Sequence, residues 1–236
     1  MINLKKSEWI ILIGLLVLSF VPVVGGISRL AELELGTVLE FMPENPRVQS
    51  VPIPVEFHLI GSIPYCILGA FQFLLSIRRK YPRWHRIAGR ILVCAGMVSA
   101  LSGLWMTHYY SFPDSLQGNL LYFVRIIVGV SMTMCIYWGV SSIIKKRIAQ
   151  HQAWMIRAYA LGQGAGTQVL VAIPWMVTVG EPSGFTRDIL MTAAWVINIA
   201  VAEWIIYKLK RGSHNARPDP IDYRMGHRDS TALDSL

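Results

Sequence analysis

Long apolar runs, separated by short polar connections, dominate the pattern of hydrophobic and polar positions along the chain. The six longest runs cover about residues 8–26, 55–77, 87–108, 119–144, 152–178 and 185–207. About 20 mainly apolar residues in an α-helix cross the roughly 30 Å hydrocarbon core of a bilayer. The pattern therefore predicts six transmembrane helices, numbered here as spans one to six. A β-barrel would need short segments of alternating polarity instead, so we exclude it.

The composition agrees with a membrane protein. Of the 236 residues, 53% are hydrophobic, and the mean hydropathy of +0.45 is too high for an ordinary soluble domain. We predict an all-α, polytopic membrane helix bundle over residues 1–211, with spans two to five as a four-helix core and spans one and six peripheral. Span one should stay as an uncleaved helix. Residues 27–54 should form an outer loop with a short surface helix, and the polar tail 212–236 should be disordered.

The net charge of +8 is unevenly distributed. Basic residues flank the start of span one, the connections between spans two and three and between four and five, and the end of span six. The opposite connections carry only Arg29, Arg47 and Arg187, and we expect Arg187 to lie in a hydrated loop. By the positive-inside rule, both termini are predicted to be cytoplasmic. Because topology accounts for the basic residues and no recognition motif accompanies them, no nucleic-acid partner is predicted.

Small and polar residues share one face of several predicted helices. On span three, the face begins at His85 and continues through Gly89, Gly96, Gly103 and Thr107. Such a face is typical of close helix packing through small residues. Alternatively, the missing side chains leave a groove for a flat cofactor. The sequence leaves both interpretations open.

Charged and imidazole side chains near the span ends are the candidate functional residues. Arg90 and Arg157 lie about a turn inside spans three and five, where an arginine either finds a partner or extends to the membrane surface. His85 and His151 lie at matched depth at the predicted inner surface of the same two spans. Weaker candidates lie at the outer surface; these are His58, His108 and Arg125.

Two stretches carry a resemblance to a known family. They read "WHRIAGRILV" at span three and "HQAWMIRAYAL" at span five, and they are accompanied by His58 early in span two. Over about residues 55–175 the chain resembles the predicted bacterial membrane proteins grouped as domain of unknown function 2306. The resemblance implies a bacterial inner membrane location and the bundle topology, but no activity. Members often carry a further arginine in span five, where this chain reads "GTQVLVAIPW"; a site that needs this arginine would be altered here.

Three functional hypotheses follow. In the first, the protein binds a haem b for electron transfer, with His85 and His151 as the iron ligands. Gly89 and Gly96 would leave room for the haem, and Arg90 and Arg157 would lie near its propionates. Such a protein would be similar in architecture to the four-helix b561-type cytochromes. Spans three and five are diagonal in an up-and-down core, and the two histidines should lie within about 15 Å, Cα to Cα.

In the second, the same residues bind or transport an anionic lipid or small amphiphile. In the third, the chain is a non-catalytic accessory subunit with a redox or oligomeric partner. No nucleophile motif and no carboxylate in the middle of a span were found, so the sequence assigns no enzyme class.

Overall fold

The computed structural model describes residues 4–36 and 45–215, with side chains up to residue 212. Within these ranges the chain forms nine helices and no strand. They are α1 (Lys6–Leu35), α2 (Pro46–Ser50), α3 (Ile53–Gln72), α4 (Leu75–Lys80), α5 (Pro82–Tyr109), α6 (Asn119–Ile144), α7 (Ile148–Gly162), α8 (Gly164–Thr178) and α9 (Gly184–Asn215). Five of them, α1, α3, α5, α6 and α9, are long and apolar enough to cross a membrane. The predicted all-α membrane bundle is confirmed.

The sixth crossing is made by α7 and α8 together. Helix α9 packs along both of them in an antiparallel register. Asn198 donates to the Ala160 carbonyl of α7, and its amide oxygen accepts from Thr167 of α8. Along α9 the contacts run in reverse order, from Arg157 with Glu203 to Gln168 with the Met191 carbonyl. Helices α7 and α8 therefore continue in the same direction across a local break. Span five is therefore a broken helix, which the continuous apolar run did not indicate.

A buried polar network surrounds this break. Gln163 lies between the two helices, is 3% exposed, and donates to the Tyr159 hydroxyl (2.7 Å) and the Ser19 hydroxyl (2.9 Å). Tyr159 donates in turn to the Cys66 carbonyl of α3 at 2.7 Å. In a bilayer, polar groups must be satisfied by protein, so these bonds stabilise the break and join α1, α3 and α7.

The core lies between α3, α5, α6 and α7. Its buried cluster takes members from all four helices, namely Tyr65, Leu92, Ala100, Met132, Cys135, Ile136, Ala158, Tyr159 and Leu161. Helix α1 packs on α3 and α8, and α9 packs on α6, α7 and α8. Both peripheral helices carry many exposed large apolar side chains, as lipid-facing helices do. The predicted four-helix core with peripheral first and last spans is thus confirmed.

Three boundaries differ from the sequence prediction. Helix α1 does not end near residue 26 but continues to Leu35, where Gly36 (φ 64°) closes it by donating to the Glu32 carbonyl. Part of the predicted outer loop is therefore helix, and residues 37–44 lie outside the described residues. Span two ends at Gln72 because the extended backbone of Leu74 separates it from α4. Helix α9 extends beyond the predicted span, and the tail from 216 onward lies outside the described residues.

The helices end at two opposite sides of the bundle, one for each membrane surface. We call these two ends the basic face and the opposite face. The basic face carries the start of α1, helix α4, the α6–α7 turn and the end of α9. The α6–α7 turn is tight: Arg147 N–H donates to the Ser142 carbonyl at 2.8 Å, and Lys146 adopts φ 58°. This left-handed conformation places Lys145 and Arg147 beside the start of α7.

Candidate functional site

The two histidines of the predicted inner site lie on diagonal helices. Helices α5 and α7 each pack on α3, and each packs on α6. The His85 and His151 rings are half-buried and lie within electrostatic range of one another. His151 Nδ1 contacts the Gly139 carbonyl at 2.9 Å, whereas His85 Nδ1 is buried and has no hydrogen-bond partner among the described residues. The structure thus brings the two rings towards one region at the basic face.

The two arginines of the predicted inner site have different surroundings. Arg157 donates from Nε and Nη2 to the two carboxylate oxygens of Glu203 on α9, at 2.5 and 2.8 Å. Its guanidinium carbon also lies 4.8 Å from the Trp154 ring centroid. Of the two outcomes that the sequence left open for Arg157, the structure shows a partner, which is Glu203 of α9. Arg90 is exposed, as expected for a side chain that extends to the membrane surface.

The glycine face of α5 is filled by side chains. A Cβ built at Gly96 would lie 2.6 Å from the Tyr65 ring and 2.9 Å from Ile136, and one built at Gly162 would lie 2.7 Å from the same Tyr65 ring. Gly89 faces the Gln72 amide at 3.7 Å. The small residues therefore serve close packing, and the cofactor-groove interpretation is not supported. The Tyr65 ring occupies the volume beside Gly96 that was expected to be open, so Gly96 leaves no room for a haem.

A basic groove lies at the basic face between α6, α7 and α9. It has a volume of about 920 Å³ and is lined by Trp138, Ser141, Ser142, Lys145, Arg147, Ile148, Ala149, Gln150, Gln152, Ala153, Trp154, Arg157, Ile206, Leu209 and Lys210. Four of these described lining residues are cationic and none is acidic. The rest of the wall is mainly indole and aliphatic. The groove can therefore offer charge to a polar anionic group and apolar surface to a chain attached to it.

The α6–α7 turn, the end of α9 and the ion pair with Glu203 position the cations of this groove. Lys145 and Arg147 flank the left-handed residue of the α6–α7 turn, so the turn brings both to the start of α7. Lys210 is in the last part of α9, antiparallel to α7. Glu203 fixes the guanidinium plane of Arg157 through two bonds. Charge-assisted bidentate pairs of this kind restrict geometry more than a single contact does.

The sequence interpretation included Arg157 but missed the rest of the groove. Lys145, Arg147 and Lys210 were assigned only to topology. Two tryptophans in the sequence could have indicated the groove. Trp138 lies near the end of α6 and Trp154 near the start of α7, so a hairpin places both near one membrane surface beside the basic turn.

The weaker outer candidates separate into two places at the opposite face. His58 and Arg125 lie within electrostatic range of each other, and His58 Nδ1 contacts the Ser99 carbonyl at 2.9 Å. His108 is exposed, and its Nδ1 contacts the Tyr122 hydroxyl at 3.1 Å. The expectation that Arg187 lies in a hydrated loop is wrong. It belongs to the first turn of α9, which begins at Gly184, and its Nε is buried.

The comparison with known proteins identifies a family, but it finds no matching curated protein or solved structure. One protein family, described as "Predicted membrane protein (DUF2306)", matches residues 55–206, which include α5, α6, α7 and α8 entirely and most of α3. Both histidine-containing stretches lie inside this match. The match covers more than half of the chain and agrees with the helical membrane bundle, so the protein belongs to the DUF2306 family of predicted membrane proteins.

Proposed function

We propose that this membrane protein binds an anionic lipid or a small anionic amphiphile in the basic groove. The observation that carries the proposal is the composition of the groove. Its described lining holds four cations and no carboxylate, beside two tryptophans and an aliphatic wall. Arg157 is paired with Glu203, so Lys145, Arg147 and Lys210 are the cations offered to a ligand. We also propose that this face lies at the cytoplasmic surface of a bacterial inner membrane, because the positive-inside rule favours that orientation. Basic pockets between transmembrane helices at that surface suit anionic headgroups.

The size and the polarity of the groove fit the same ligand class. Its volume of about 920 Å³ is near the upper end of small-molecule sites, which cover about 300–1,000 Å³. A headgroup would contact Lys145, Arg147 and Lys210, while an acyl chain would pass along Ile206 and Leu209 towards the lipid. Each basic residue near a membrane surface contributes about 1 kcal/mol to the attraction of anionic lipid.

Simple anchoring is the alternative explanation for basic residues at this face. Anchoring requires only that cations are present near the membrane boundary. The proposal differs because it makes the position of the cations decisive. The chain offers a matched control: Arg83, Arg86 and Arg90 are exposed on α5 near the same face and do not line the groove.

The test compares two triple variants with equal loss of charge, K145Q/R147Q/K210Q and R83Q/R86Q/R90Q. Each would be purified in detergent, and its affinity for phosphatidylglycerol would be measured by native mass spectrometry against phosphatidylcholine. We expect the groove variant to lose roughly 100-fold in affinity, from three residues at about 1 kcal/mol each. The control variant should keep the affinity of the wild type within about threefold.

Equal losses in the two variants would contradict the proposal and assign the effect to net charge. Unchanged binding in both would leave the groove as a contact for an accessory subunit or oligomeric partner. The variant should also be checked for helical content by circular dichroism, so that a loss of binding is not a loss of fold.

A further inference from the structure

Three arginines from distant parts of the chain converge at the opposite face. The guanidinium carbon of Arg47 lies 4.7 Å from the Phe112 ring centroid, and that of Arg125 lies 5.0 Å from the same centroid. Arg187 lies within electrostatic range of Arg125. These residues come from α2, α6 and α9, so only the folded bundle brings them together.

The charge of this arginine cluster is not balanced by the described residues. Among them, Asp188 is the one carboxylate in electrostatic contact with Arg125. Asp188 is 1% exposed, and its two oxygens accept the N–H groups of Gly118 and Leu121, both at 3.1 Å. Its charge therefore serves the start of α6 as well as the arginines. Among these four described residues, three guanidinium groups face one carboxylate, so positive charge predominates.

Two donors in the arginine cluster are also unsatisfied. Arg47 Nη1 and Arg187 Nε are buried and have no hydrogen-bond partner within the described part of the chain. By contrast, Arg125 Nη1 donates to the Gln117 side-chain oxygen, and Arg47 Nε donates to Asn45 at 3.1 Å. Burial of a charged donor without a partner is unfavourable. Uncompensated positive charge and unused donors thus occur at the same place.

We propose that the arginine cluster is a binding site for a phosphate-type oxyanion. A doubly charged oxyanion would neutralise the excess charge and would accept from the unused donors of Arg47 and Arg187. Planar guanidinium groups match the oxygens of a phosphate better than ammonium groups do, because they donate two parallel hydrogen bonds. Phe112 holds two of the groups through cation–π contacts, which orients them before the anion arrives.

This site is separate from the basic groove. It uses different helices and lies at the other membrane surface, so neither proposal depends on the other. The phosphate group can come from the solution or from a lipid headgroup. Both sources present non-bridging phosphate oxygens to the arginines. Inorganic phosphate is largely doubly charged near neutral pH, whereas the phosphodiester of a headgroup carries a single charge.

The first arm measures the thermal stability of the detergent-solubilised protein with inorganic phosphate, against sodium chloride at equal ionic strength. The second arm uses nanodiscs of phosphatidylglycerol or phosphatidylcholine without free phosphate. The variants are R47Q and R187Q, with R83Q as an exposed control at the basic face. A dependence on Arg47 and Arg187 in the first arm identifies a soluble anion, and a dependence in the second arm alone identifies a headgroup.

We expect R47Q and R187Q to weaken the anion-dependent stabilisation at least tenfold in apparent affinity, and R83Q to leave it unchanged. Without anion, both variants should unfold at the same temperature as the wild type or higher, because repulsion is relieved. R47K and R187K keep the charge but lose the forked donors, and they should also bind more weakly; they serve if the glutamine variants fail to fold. The proposal is overturned if neither arm shows a dependence on Arg47 and Arg187, or if the variants are less stable without anion and bind phosphate normally.

Discussion

The contact between α3 and α5 gives a sharp prediction, because a glycine there has no free space around it. Gly61 is buried in α3. A Cβ at this position would lie 2.6 Å from the Ala95 carbonyl oxygen and 2.9 Å from the Ser99 amide nitrogen of α5. Both atoms are backbone, so they cannot rotate away as a side chain would. Replacing Gly61 by alanine must therefore push the two helices apart.

The expected magnitude follows from two opposing effects. Overpacking of a well-packed interface is unfavourable by about 1–3 kcal/mol. Alanine favours the helix over glycine by about 0.5–1 kcal/mol. The difference predicts that Gly61→Ala destabilises the bundle by up to about 2.5 kcal/mol, with a central value of about 1 kcal/mol. The same separation would loosen the contact between His58 and the Ser99 carbonyl, now 2.9 Å.

Gly14 in α1 provides the matched control. It is exposed, and a Cβ built there meets nothing within 4 Å. Gly14→Ala should therefore show only the gain in helix propensity and be neutral or more stable than the wild type. Unfolding in mixed detergent micelles, followed by circular dichroism, gives the free energy of unfolding for each variant. If both variants shifted in the same direction by similar amounts, the helix spacing described here would be wrong.

Four further predictions test other parts of the structure. Lys146→Gly should be about 1 kcal/mol more stable than Lys146→Ala, because both remove the charge and only glycine adopts φ 58° without strain; equal stabilities would contradict the turn. Gln163→Leu should lower the free energy of unfolding by about 0.6–1.7 kcal/mol, because the bonds of Gln163 to Tyr159 and Ser19 are lost. The loss should not be larger, because Tyr159 keeps its bond to the Cys66 carbonyl; an unchanged free energy of unfolding would show that the network contributes nothing. Protein purified from cells supplied with haem should show no Soret band, and a stoichiometric band would restore the haem hypothesis. A reporter fused after Arg211 should report a cytoplasmic location, and a signal from the other side would reverse the orientation.

The architecture could be predicted from the sequence because each membrane helix is indicated by the hydropathy of its own residues. Each apolar run predicts its own helix, and the arrangement of a four-helix core needed only the order of the spans. The break at Gln163 was not predictable in this way, since its polar side chain is satisfied by Ser19 of α1 and Tyr159 of α7. Hydropathy does not indicate which residue on another helix will form a hydrogen bond with a polar side chain.

The site was harder to predict for the same reason. The depth of Arg157 allowed either a partner or extension to the membrane surface, and it did not show that Glu203 on α9 would be the partner. The glycines of α5 indicated close approach, and only the fold shows that the Tyr65 ring fills the space beside Gly96. Arg187 was assigned to a hydrated loop because it lies near the start of the last apolar run, and only the fold shows that its Nε is buried within the first turn of α9. Side-chain direction, which tertiary packing sets, decided each of these cases.

Site-specific photocrosslinking tests most directly whether the basic groove selects anionic lipid. A photoreactive residue would replace Ile148, which lines the groove and is 58% exposed, or Ile87, which lies beside Arg86 on α5 and is 59% exposed. In vesicles of equal phosphatidylglycerol and phosphatidylcholine, mass spectrometry identifies the captured lipid. We expect phosphatidylglycerol to be enriched at Ile148, lost there in K145Q/R147Q/K210Q, and close to the bilayer composition at Ile87. Capture in the same proportion at both positions would contradict the proposed lipid site.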